Sequence, residues 1–320
     1  MIEFDRVSKV YGGRHAVDQL ELQMGAGEFV VLIGPSGSGK STTLRMINRL
    51  VEHDAGRIRF AGREIRDFAP EDLRRRMGYA IQSVGLFPHW TVERNIATVP
   101  RLLGWPAQKI AARVEELLHL LQLDPAQFAR RYPHELSGGQ QQRVGVARAL
   151  AADPEVLLMD EPFGALDPVT RIVMQRELKR IHALSGKTIV LVTHDIDEAL
   201  FLATRIVLFR DGRVVQDGSP LALLSQPANA FVTDFLGRAE LGIKRLGLSA
   251  VRDHVRTGTG TPQVQGEPLS IHSNLREALS AFIVQGRASL PVVHDDGTPA
   301  GEAHFADLLQ AEDRNGRSTP

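Results

Sequence analysis

A glycine-rich stretch, GPSGSGKST, has the residue types and the spacing of a loop that binds phosphate. Gly34, Gly39, Lys40 and Ser41 fit the pattern G-x-x-x-x-G-K-S/T. In this pattern, small residues let backbone N–H groups close on phosphate oxygens, the lysine reaches the terminal phosphates, and the serine hydroxyl can bind Mg²⁺. The stretch therefore predicts a site for the phosphates of a nucleotide.

An acidic pair follows a second apolar segment, EVLLMDEP, at residues 155–162. Asp160 ends the apolar run and Glu161 comes next. An aspartate at the end of a strand can hold Mg²⁺ through water, and an adjacent glutamate can polarise an attacking water as a general base. An apolar strand that runs into an acidic turn is common by itself, but together with the glycine-rich loop it predicts cleavage of a bound phosphate.

Four further residues are weaker candidates, because each has an ordinary structural explanation. Ser137, in LSGGQ, is an apparent N-cap of a long helix, and the two glycines after it expose backbone donors. Gln82 stands where the terminal phosphate of such a site would lie, but a glutamine in a loop is common. His194 ends an apolar segment, where a lone histidine is usually structural, and Asp167, in GALDP, is equally explained as the cap of a turn.

The glycine-rich loop joins a strand to a helix. Residues 28–33, EFVVLI, are apolar and partly β-branched, and the residues after the loop carry apolar side chains at helical spacing. Farther along, residues 155–162 and 188–195 are short apolar strands, with an amphipathic helix at residues 171–184 between them. This order predicts a parallel sheet with helices on both sides and with its chemistry at the carboxyl ends of the strands.

Three other patterns complete the first two thirds of the chain. Alternating segments up to about Gly62 predict a sheet that leans on the nucleotide core. Apolar residues recur along one face between residues 107 and 123, which predicts an amphipathic helix in a mostly helical stretch. RIVLFRDGRVVQDG is typical of a hairpin with Asp211 and Gly212 at its turn.

The composition excludes several functions. The 320 residues carry 38 acidic and 38 basic side chains, so no net positive charge draws the protein to nucleic acid, although a local basic patch is compatible with this balance. No cysteine occurs, which excludes a disulfide framework, a thiolate metal site and a cysteine nucleophile. No uncharged apolar run approaches the ~18 residues of a membrane helix, so we expect contact with a membrane only through a partner.

In this order, the motifs resemble the ATP-binding subunit of an ABC transporter, over roughly residues 1–237. The resemblance implies an α/β fold: an ABC-type P-loop nucleotide-binding domain with a mixed sheet core, an antiparallel β subdomain and a helical subdomain at about residues 83–152. It implies hydrolysis of ATP with Mg²⁺, with Glu161, His194 and Gln82 as catalytic residues and Ser41, Gln82 and Asp160 at the metal. It assigns nucleotide binding to Tyr11, Gly34, Pro35, Ser36, Gly37, Ser38, Gly39, Lys40, Ser41, Thr42, Ser137, Gly138, Gly139, Gln140 and Asp167.

The same resemblance implies a site that is completed by a head-to-tail homodimer. Ser137 and Gly139 of one subunit would face the γ-phosphate held by Lys40 of the other, and Tyr11 would stack on the adenine. ATP would then act as a ligand that favours the closed dimer, and hydrolysis would remove it.

Several segments are similar to those of bacterial importers of osmoprotectants such as glycine betaine, choline or related quaternary amines. They include QSVGLFPHWTVERN at residues 82–95, THDIDEAL at 193–200 and DEPFGALDPVTR at 160–171. The likeness implies two transmembrane permease subunits and an extracytoplasmic solute-binding protein as partners, no nucleic acid, and a peripheral position at the cytoplasmic face of the inner membrane. Residues 87–90, FPHW, are then candidates for the permease-docking surface, with burial of Phe87 and Trp90 in the core as the alternative.

The tail resembles one CBS module at residues 268–311, after a linker at 238–267 and before a terminal segment at 312–320. An apolar strand, an amphipathic helix, two strands and a closing helix are expected there. Relatives usually carry two such modules, which pair into a unit that senses a small ligand or ionic strength. A single module leaves packing between two subunits, ligand sensing and an unassigned role as alternatives.

Two other functions fit the same fold. An importer ATPase for methionine, a polyamine or an inorganic anion should have a tail that resembles an ACT-like or OB-like domain. A soluble ABC ATPase that acts on DNA or ribosomes should resemble long coiled-coil or tandem-cassette chains, whereas this sequence has one glycine-rich phosphate loop.

Overall fold

A computed structural model describes residues 1–80, 85–164, 166–256 and 266–307 of the chain. The chain divides into two compact units, Met1–Ser219 and Pro220–Pro320. The strands are β1 (Ile2–Tyr11), β2 (Arg14–Met24), β3 (Phe29–Ile33), β4 (Ala55–Phe60), β5 (Arg63–Glu64), β6 (Met77–Ala80), β7 (Val156–Asp160), β8 (Thr188–Val192), β9 (Arg205–Arg210), β10 (Arg213–Gly218), β11 (Leu269–Ser270), β12 (Ser289–Val293) and β13 (Pro299–His304). The α-helices are α1 (Lys40–Ile47), α2 (Pro70–Arg75), α3 (Val92–Ile96), α4 (Thr98–Leu102), α5 (Ala107–Leu120), α6 (Pro125–Phe128), α7 (Gly138–Leu150), α8 (Pro168–Ser185), α9 (Ile196–Leu202), α10 (Pro220–Ser225), α11 (Ala230–Leu236), α12 (Leu241–Leu246) and α13 (Leu275–Gln285).

The central sheet of the first unit has the strand order β10-β9-β3-β8-β7-β6. Its strands run parallel from β9 to β6, and β10 pairs antiparallel with β9. β3, β7 and β8 are buried at every position and are rich in Val, Leu and Ile, as expected for parallel strands that are covered on both faces. The predicted parallel strands and the hairpin at Asp211 and Gly212 are confirmed, and β10 makes the sheet mixed.

A second sheet in this unit is antiparallel, with the order β2-β1-β4-β5. Its buried side chains include Phe4 and Phe60, and they form one core with Leu44 of α1 and Val190 of β8. The alternating segments before Gly62 therefore form the predicted sheet that leans on the central one.

The stretch between β6 and β7 is mostly helical where the structure describes it, as predicted. α5 buries Ile110, Val114, Leu117 and Leu118, which lie on the face that the spacing indicates. α3 and α5 both pack against α7. Within the described ranges, no helix combines the length and the apolar character that are needed to cross a bilayer.

The second unit contains a small sheet, β11-β12-β13, with α13 beside it. The predicted order of strand, helix, strand and strand is present, and Leu275, Phe282 and Leu290 lie in the shared core. Val251, within the predicted linker, lies in the same core. The predicted domain boundaries and the CBS-like assignment stay predictions, and residues 257–265 and 308–320, which contain part of the linker, the end of the module and the terminal segment, lie outside the described ranges.

Candidate nucleotide site

The glycine-rich loop lies between the end of β3 and the start of α1, and two of its glycines have no room for a side chain. Gly34 has φ +142°, and a Cβ there would lie 2.2 Å from the carbonyl oxygen of Phe209. Gly39 has φ +105°, and a Cβ there would lie 2.4 Å from the carbonyl oxygen of Ala16. Because each contact is with backbone, these positions require glycine.

Lys40 begins α1 and folds back over the loop. Its ammonium donates hydrogen bonds to the carbonyl oxygens of Gly34 and Pro35, each at 2.8 Å. Burial lowers the pKa of Lys40, and the negative charges of Glu161 and Asp160 oppose that change. The Lys40 ammonium is thus held by two carbonyl oxygens, and the oxygens of a bound anion can replace them as its hydrogen-bond acceptors.

Ser41 and Asp160 bring two oxygen ligands together. The hydroxyl of Ser41 donates a 2.8 Å hydrogen bond to Oδ1 of Asp160. Nη2 of Arg45 lies 3.3 Å from the other carboxylate oxygen. A hydroxyl and a carboxylate are the hard oxygen donors that Mg²⁺ prefers, so the chemistry of this pair fits that ion.

Glu161 and His194 follow the ends of the neighbouring strands β7 and β8. Asp160 pairs in register with Val192, and the backbone N–H of Glu161 donates to the carbonyl oxygen of Val192 at 2.9 Å. Nδ1 of His194 lies 3.3 Å from Oε2 of Glu161. Glu161 has φ +47°, a conformation that non-glycine residues adopt rarely and that is concentrated at functional sites.

The LSGGQ segment lies against the start of α8, the helix that Asp167 caps. Ser137 caps α7, with its hydroxyl accepting the N–H of Gln140 at 3.3 Å and its own N–H donating to the Gln140 side chain at 3.0 Å. A Cβ at Gly139 would lie 2.3 Å from Cγ2 of Thr170 in α8. Asp167 caps α8, and hydrogen bonding with Thr170 lowers its pKa. Gly139 is therefore packed against the first turn of α8.

Comparison with known proteins places these motifs in one family. The sequence profile of the ABC transporter family matches residues 17–164. The glycine betaine uptake system ATP-binding protein YehX of Escherichia coli (strain K12) is 61% identical over 97% of this chain and 99% of its own length. The chain belongs to the ABC transporter ATP-binding proteins. Members of this family hydrolyse ATP, and the chain is an ABC-type ATPase.

Two more relatives agree with this assignment. The choline transport ATP-binding protein OpuBA of Bacillus subtilis (strain 168) is 48% identical over 92% of this chain and 76% of its own length. A solved dimeric, post-hydrolysis state of an ATP-binding cassette, bound to ADP and Pi, is 34% identical, with a TM-score of 0.61 over 69% of this chain and 99% of the solved chain. The predicted ABC-type α/β fold is confirmed.

The other predicted nucleotide contacts of this ABC ATPase lie in the loop, in α1 and in β1. Pro35, Ser36 and Gly37 are exposed at the loop tip, Ser38 is buried, and Thr42 is partly buried in α1. Tyr11 ends β1 with half of its surface exposed, and the ammonium of Lys9 lies 5.1 Å from its ring centroid. Gln82, predicted as a catalytic and metal-binding residue, lies outside the residues that the structure describes.

Sequence reasoning missed three charged residues near the centre of this ABC ATPase. Arg45 reaches Asp160, and its position four residues after Ser41, on the same face of α1, is a signal that could have identified it. Arg171 and Glu198 line a cavity together with Glu161 and His194. No local pattern pairs Arg171 with Glu198, because they meet only when α8 packs against α9.

Proposed function

We propose that the chain hydrolyses ATP as a head-to-tail dimer and powers the import of an osmoprotectant, either glycine betaine, choline or a related quaternary amine, through partner membrane subunits. The observation that carries the hydrolytic part is the arrangement of Glu161 and His194 beside the Ser41–Asp160 pair. The choice of cargo is supported by relatives named for glycine betaine and choline, which match nearly the full chain.

The nucleotide would bind on the loop between β3 and α1. Backbone N–H groups of residues 34–42 would hold the phosphates at the start of α1, where the helix dipole favours negative charge. Lys40 would exchange its carbonyl partners, Gly34 and Pro35, for terminal phosphate oxygens. Tyr11, at the end of β1, would stack on the adenine.

Ser41 and Asp160, with Gln82, would hold Mg²⁺, which when bound neutralises charge on the phosphates. Because Ser41 already donates to Asp160, little rearrangement would be needed to turn both oxygens toward a cation.

Glu161 would accept a proton from the attacking water while the water oxygen bonds to the γ-phosphorus and the bond to ADP breaks. His194, 3.3 Å from this carboxylate, would orient it and donate a hydrogen bond to the γ-phosphate. The charge that develops on the phosphate would thus meet donors that are already in place.

The dimer would complete the site from the second subunit. Gly138 has open space around its Cα and Ser137 is exposed, so the Gly138 N–H and the Ser137 hydroxyl would be the groups that reach a phosphate of another copy. Asp167, at the start of α8, would lie next to that phosphate. Because the ligand would bridge two copies, its cleavage would remove the contact that favours the closed dimer.

The membrane partners would dock on the segment just before α3. Phe87 is 43% exposed, and its ring centroid lies 4.4 Å from that of Trp90. Asn95 is fully buried and fixes this turn, because its side chain accepts the N–H of Phe87 and donates to the carbonyl oxygens of Phe87 and Trp90. Phe87 is exposed and Trp90 is partly buried beside it, and an aromatic surface held in place in this way suits a partner interface.

The assembly we propose has two permease subunits and an extracytoplasmic solute-binding protein, and the chain would be peripheral at the cytoplasmic face of the inner membrane. It would not require nucleic acid. Residues 268–311 would form a single CBS-like module that pairs between two subunits.

The decisive experiment is uptake of labelled glycine betaine and choline, at low and high external osmolality, in cells that lack this gene. The cells would carry the wild-type copy, Glu161→Gln or Lys40→Ala. We expect uptake to return only with the wild type. No uptake of either solute with the wild-type copy, together with normal ATPase activity of the purified chain, would reject the cargo and favour an importer of methionine, a polyamine or an anion.

A further inference from the structure

A small cavity lies directly behind the hydrolytic pair. Its volume is about 40 Å³, and Glu161 and His194 line one part of it. Arg171, Asp195 and Glu198 line the rest. The proposed base therefore shares an enclosed space with two more carboxylates and a guanidinium.

Glu198 lies in the first turn of α9 and is 4% exposed. Its Oε2 accepts a 3.2 Å hydrogen bond from the side chain of Gln175 in α8. Its Oε1 is buried and accepts no hydrogen bond of good geometry from the residues that the structure describes, although the Thr193 side chain interacts with the carboxyl less strongly than Gln175 does. Asp195 caps the helix by accepting the N–H of Glu198 at 3.0 Å. The carboxyl is thus fixed in place, with one oxygen that lacks a well-formed hydrogen bond.

Arg171, in the first turn of α8, connects two loops of the site. Nη2 donates to the carbonyl oxygen of Leu166 at 3.2 Å, next to Asp167. Nη1 lies 3.6 Å from Oδ2 of Asp195, next to His194. Its Nε is buried and, within the described ranges, has no hydrogen-bond partner. The unused donor of Arg171 and Oε1 of Glu198 belong to side chains that line the same cavity.

Burial raises the pKa of Glu198 to about 7, and the negative charge of Asp195 raises it as well. Hydrogen bonds from Gln175 and Thr193 and the positive charge of Arg171 lower it. Both protonation states of Glu198 are therefore populated near neutral pH.

Few other charged groups face this carboxyl. β3, which packs against α9, contributes apolar side chains only. On α8, Lys179 is bonded to the carbonyl oxygen of Phe201 at the far end of α9. On α9 itself, Asp197 is exposed. The remaining titratable side chains near the Glu198 carboxyl are those of Glu161 and His194, which line the same cavity.

We propose that Arg171 and Glu198 form a positioning pair that couples the loop at His194 to the turn at Asp167. With Glu198 protonated, Arg171 stays between Leu166 and Asp195, and the His194 loop is held against Glu161. With Glu198 ionised, its Oε1 attracts the unused Nε of Arg171, which weakens the contact with Asp195 and loosens that loop. Hydrolysis is then slower. This inference rests on the proposed role of Glu161 as the base.

The test is the pH dependence of kcat at saturating Mg·ATP in the purified chain, from about pH 6 to about pH 8.5. Glu198→Gln fixes the neutral form, so the ratio of its kcat to that of the wild type should rise as pH passes about 7. The expected rise is about two- to thirtyfold, the usual range for coupling between neighbouring sites. Asp197→Asn, one residue away and exposed, should keep the wild-type profile.

Arg171→Gln provides the second variant. It should lower kcat at every pH, and its kcat profile should lack the inflection near pH 7 that Glu198 causes. The double variant with Glu198→Gln should have the same profile as Arg171→Gln alone. Parallel profiles of the wild type and Glu198→Gln would overturn the proposal, as would an inflection that persists in Arg171→Gln. If Glu198→Gln does not fold, the Arg171→Gln profile decides alone.

Two measurements separate this proposal from the proposed function. The melting temperature of the nucleotide-free chain, followed across the same pH range, reports the ionisation of Glu198 without any catalysis. A difference in melting temperature between the wild type and Glu198→Gln that does not change with pH would overturn the proposal. Wild-type hydrolysis by Glu161→Gln would reject Glu161 as the base, whereas the comparison of Arg171 and Glu198 variants would still report on the pair.

Discussion

The hydroxyl of Ser41 donates a 2.8 Å hydrogen bond to the carboxylate of Asp160, although 119 positions of sequence separate the two residues. They meet because α1 begins, and β7 ends, at the same edge of the parallel sheet. The phosphate loop and the acidic pair are therefore held in register by strand pairing rather than by a local turn.

Replacing Glu161 with glutamine should preserve ATP binding and abolish hydrolysis. The amide keeps the shape of the side chain and its proximity to His194 but cannot accept a proton from water. We expect kcat to fall by about 100-fold or more and ATP to trap a dimer, which size-exclusion chromatography at saturating ATP would detect. Glu155→Gln, at an exposed carboxylate paired with Arg76, is the matched control. A monomeric Glu161→Gln at saturating ATP would contradict the head-to-tail site.

Replacing Gly34 with alanine should destabilise the first unit strongly. The new Cβ would lie 2.2 Å from the Phe209 carbonyl oxygen at a φ of +142°, so the two parallel strands must separate. Gly62→Ala is the control, because its φ is +80° but nothing lies within 4 Å of a Cβ there. Urea unfolding should show a loss of about 1 kcal/mol for Gly62→Ala and several times that for Gly34→Ala. Equal losses of unfolding free energy in the two variants would show that the close approach of Gly34 to the Phe209 backbone does not limit stability.

Glu198→Gln should make stability less dependent on pH. The folded pKa of about 7 lies above the ordinary value of 4.5, so the folded state binds the proton more tightly than the unfolded state does. The free energy of unfolding of the wild type should therefore fall, by about 3 kcal/mol at most, as pH rises from about 4.5 to about 7. Above about pH 7 it should stay constant at the lower value. Urea unfolding at about pH 5 and about pH 8 should show the variant gaining on the wild type only at the higher pH. A constant difference would place the titration elsewhere.

Removing the chain after Gly237 should leave basal ATPase activity intact. Every predicted site residue lies within Met1–Ser219, which is compact by itself. The truncated chain should differ from the full chain in dimer stability or regulation, which analytical ultracentrifugation with and without ATP would measure. Complete loss of hydrolysis would show that the second unit belongs to the catalytic core.

The sequence identifies candidate residues of this site where they are neighbours along the chain, and the structure brings Ser41 close to Asp160 and Glu161 close to His194. Gly34 to Ser41 is a short motif whose spacing indicates its chemistry, and the pair Asp160–Glu161 gains its meaning from that motif. Arg171 and Glu198 are different, because their place in one cavity depends on how α8 and α9 pack, which no local period reports. The order of the strands along the sequence likewise does not show that β3 lies between β8 and β9 in the sheet.

In the C-terminal tail, the sequence also fails to predict which apolar residues are buried. Val251 lies in a stretch with no clear period, so the sequence favours a linker there. In the structure it is buried with Leu275 and Phe282, and Leu246 and Val255 pack against the same core. A few isolated apolar side chains are enough to attach a segment of short helices and turns to a small core, and such side chains carry no periodic signal.

The contacts of the phosphate loop have a consequence for synthesis of the protein. The backbone of Phe209 closes the space beside Gly34, and the N–H of Gly212 donates to the carbonyl oxygen of Ser38 at 3.1 Å. A growing chain on the ribosome has made the whole loop long before it makes these two residues. Nucleotide affinity should therefore arise late in translation, once β9 and its turn have left the exit tunnel, and an incomplete chain would not capture ATP.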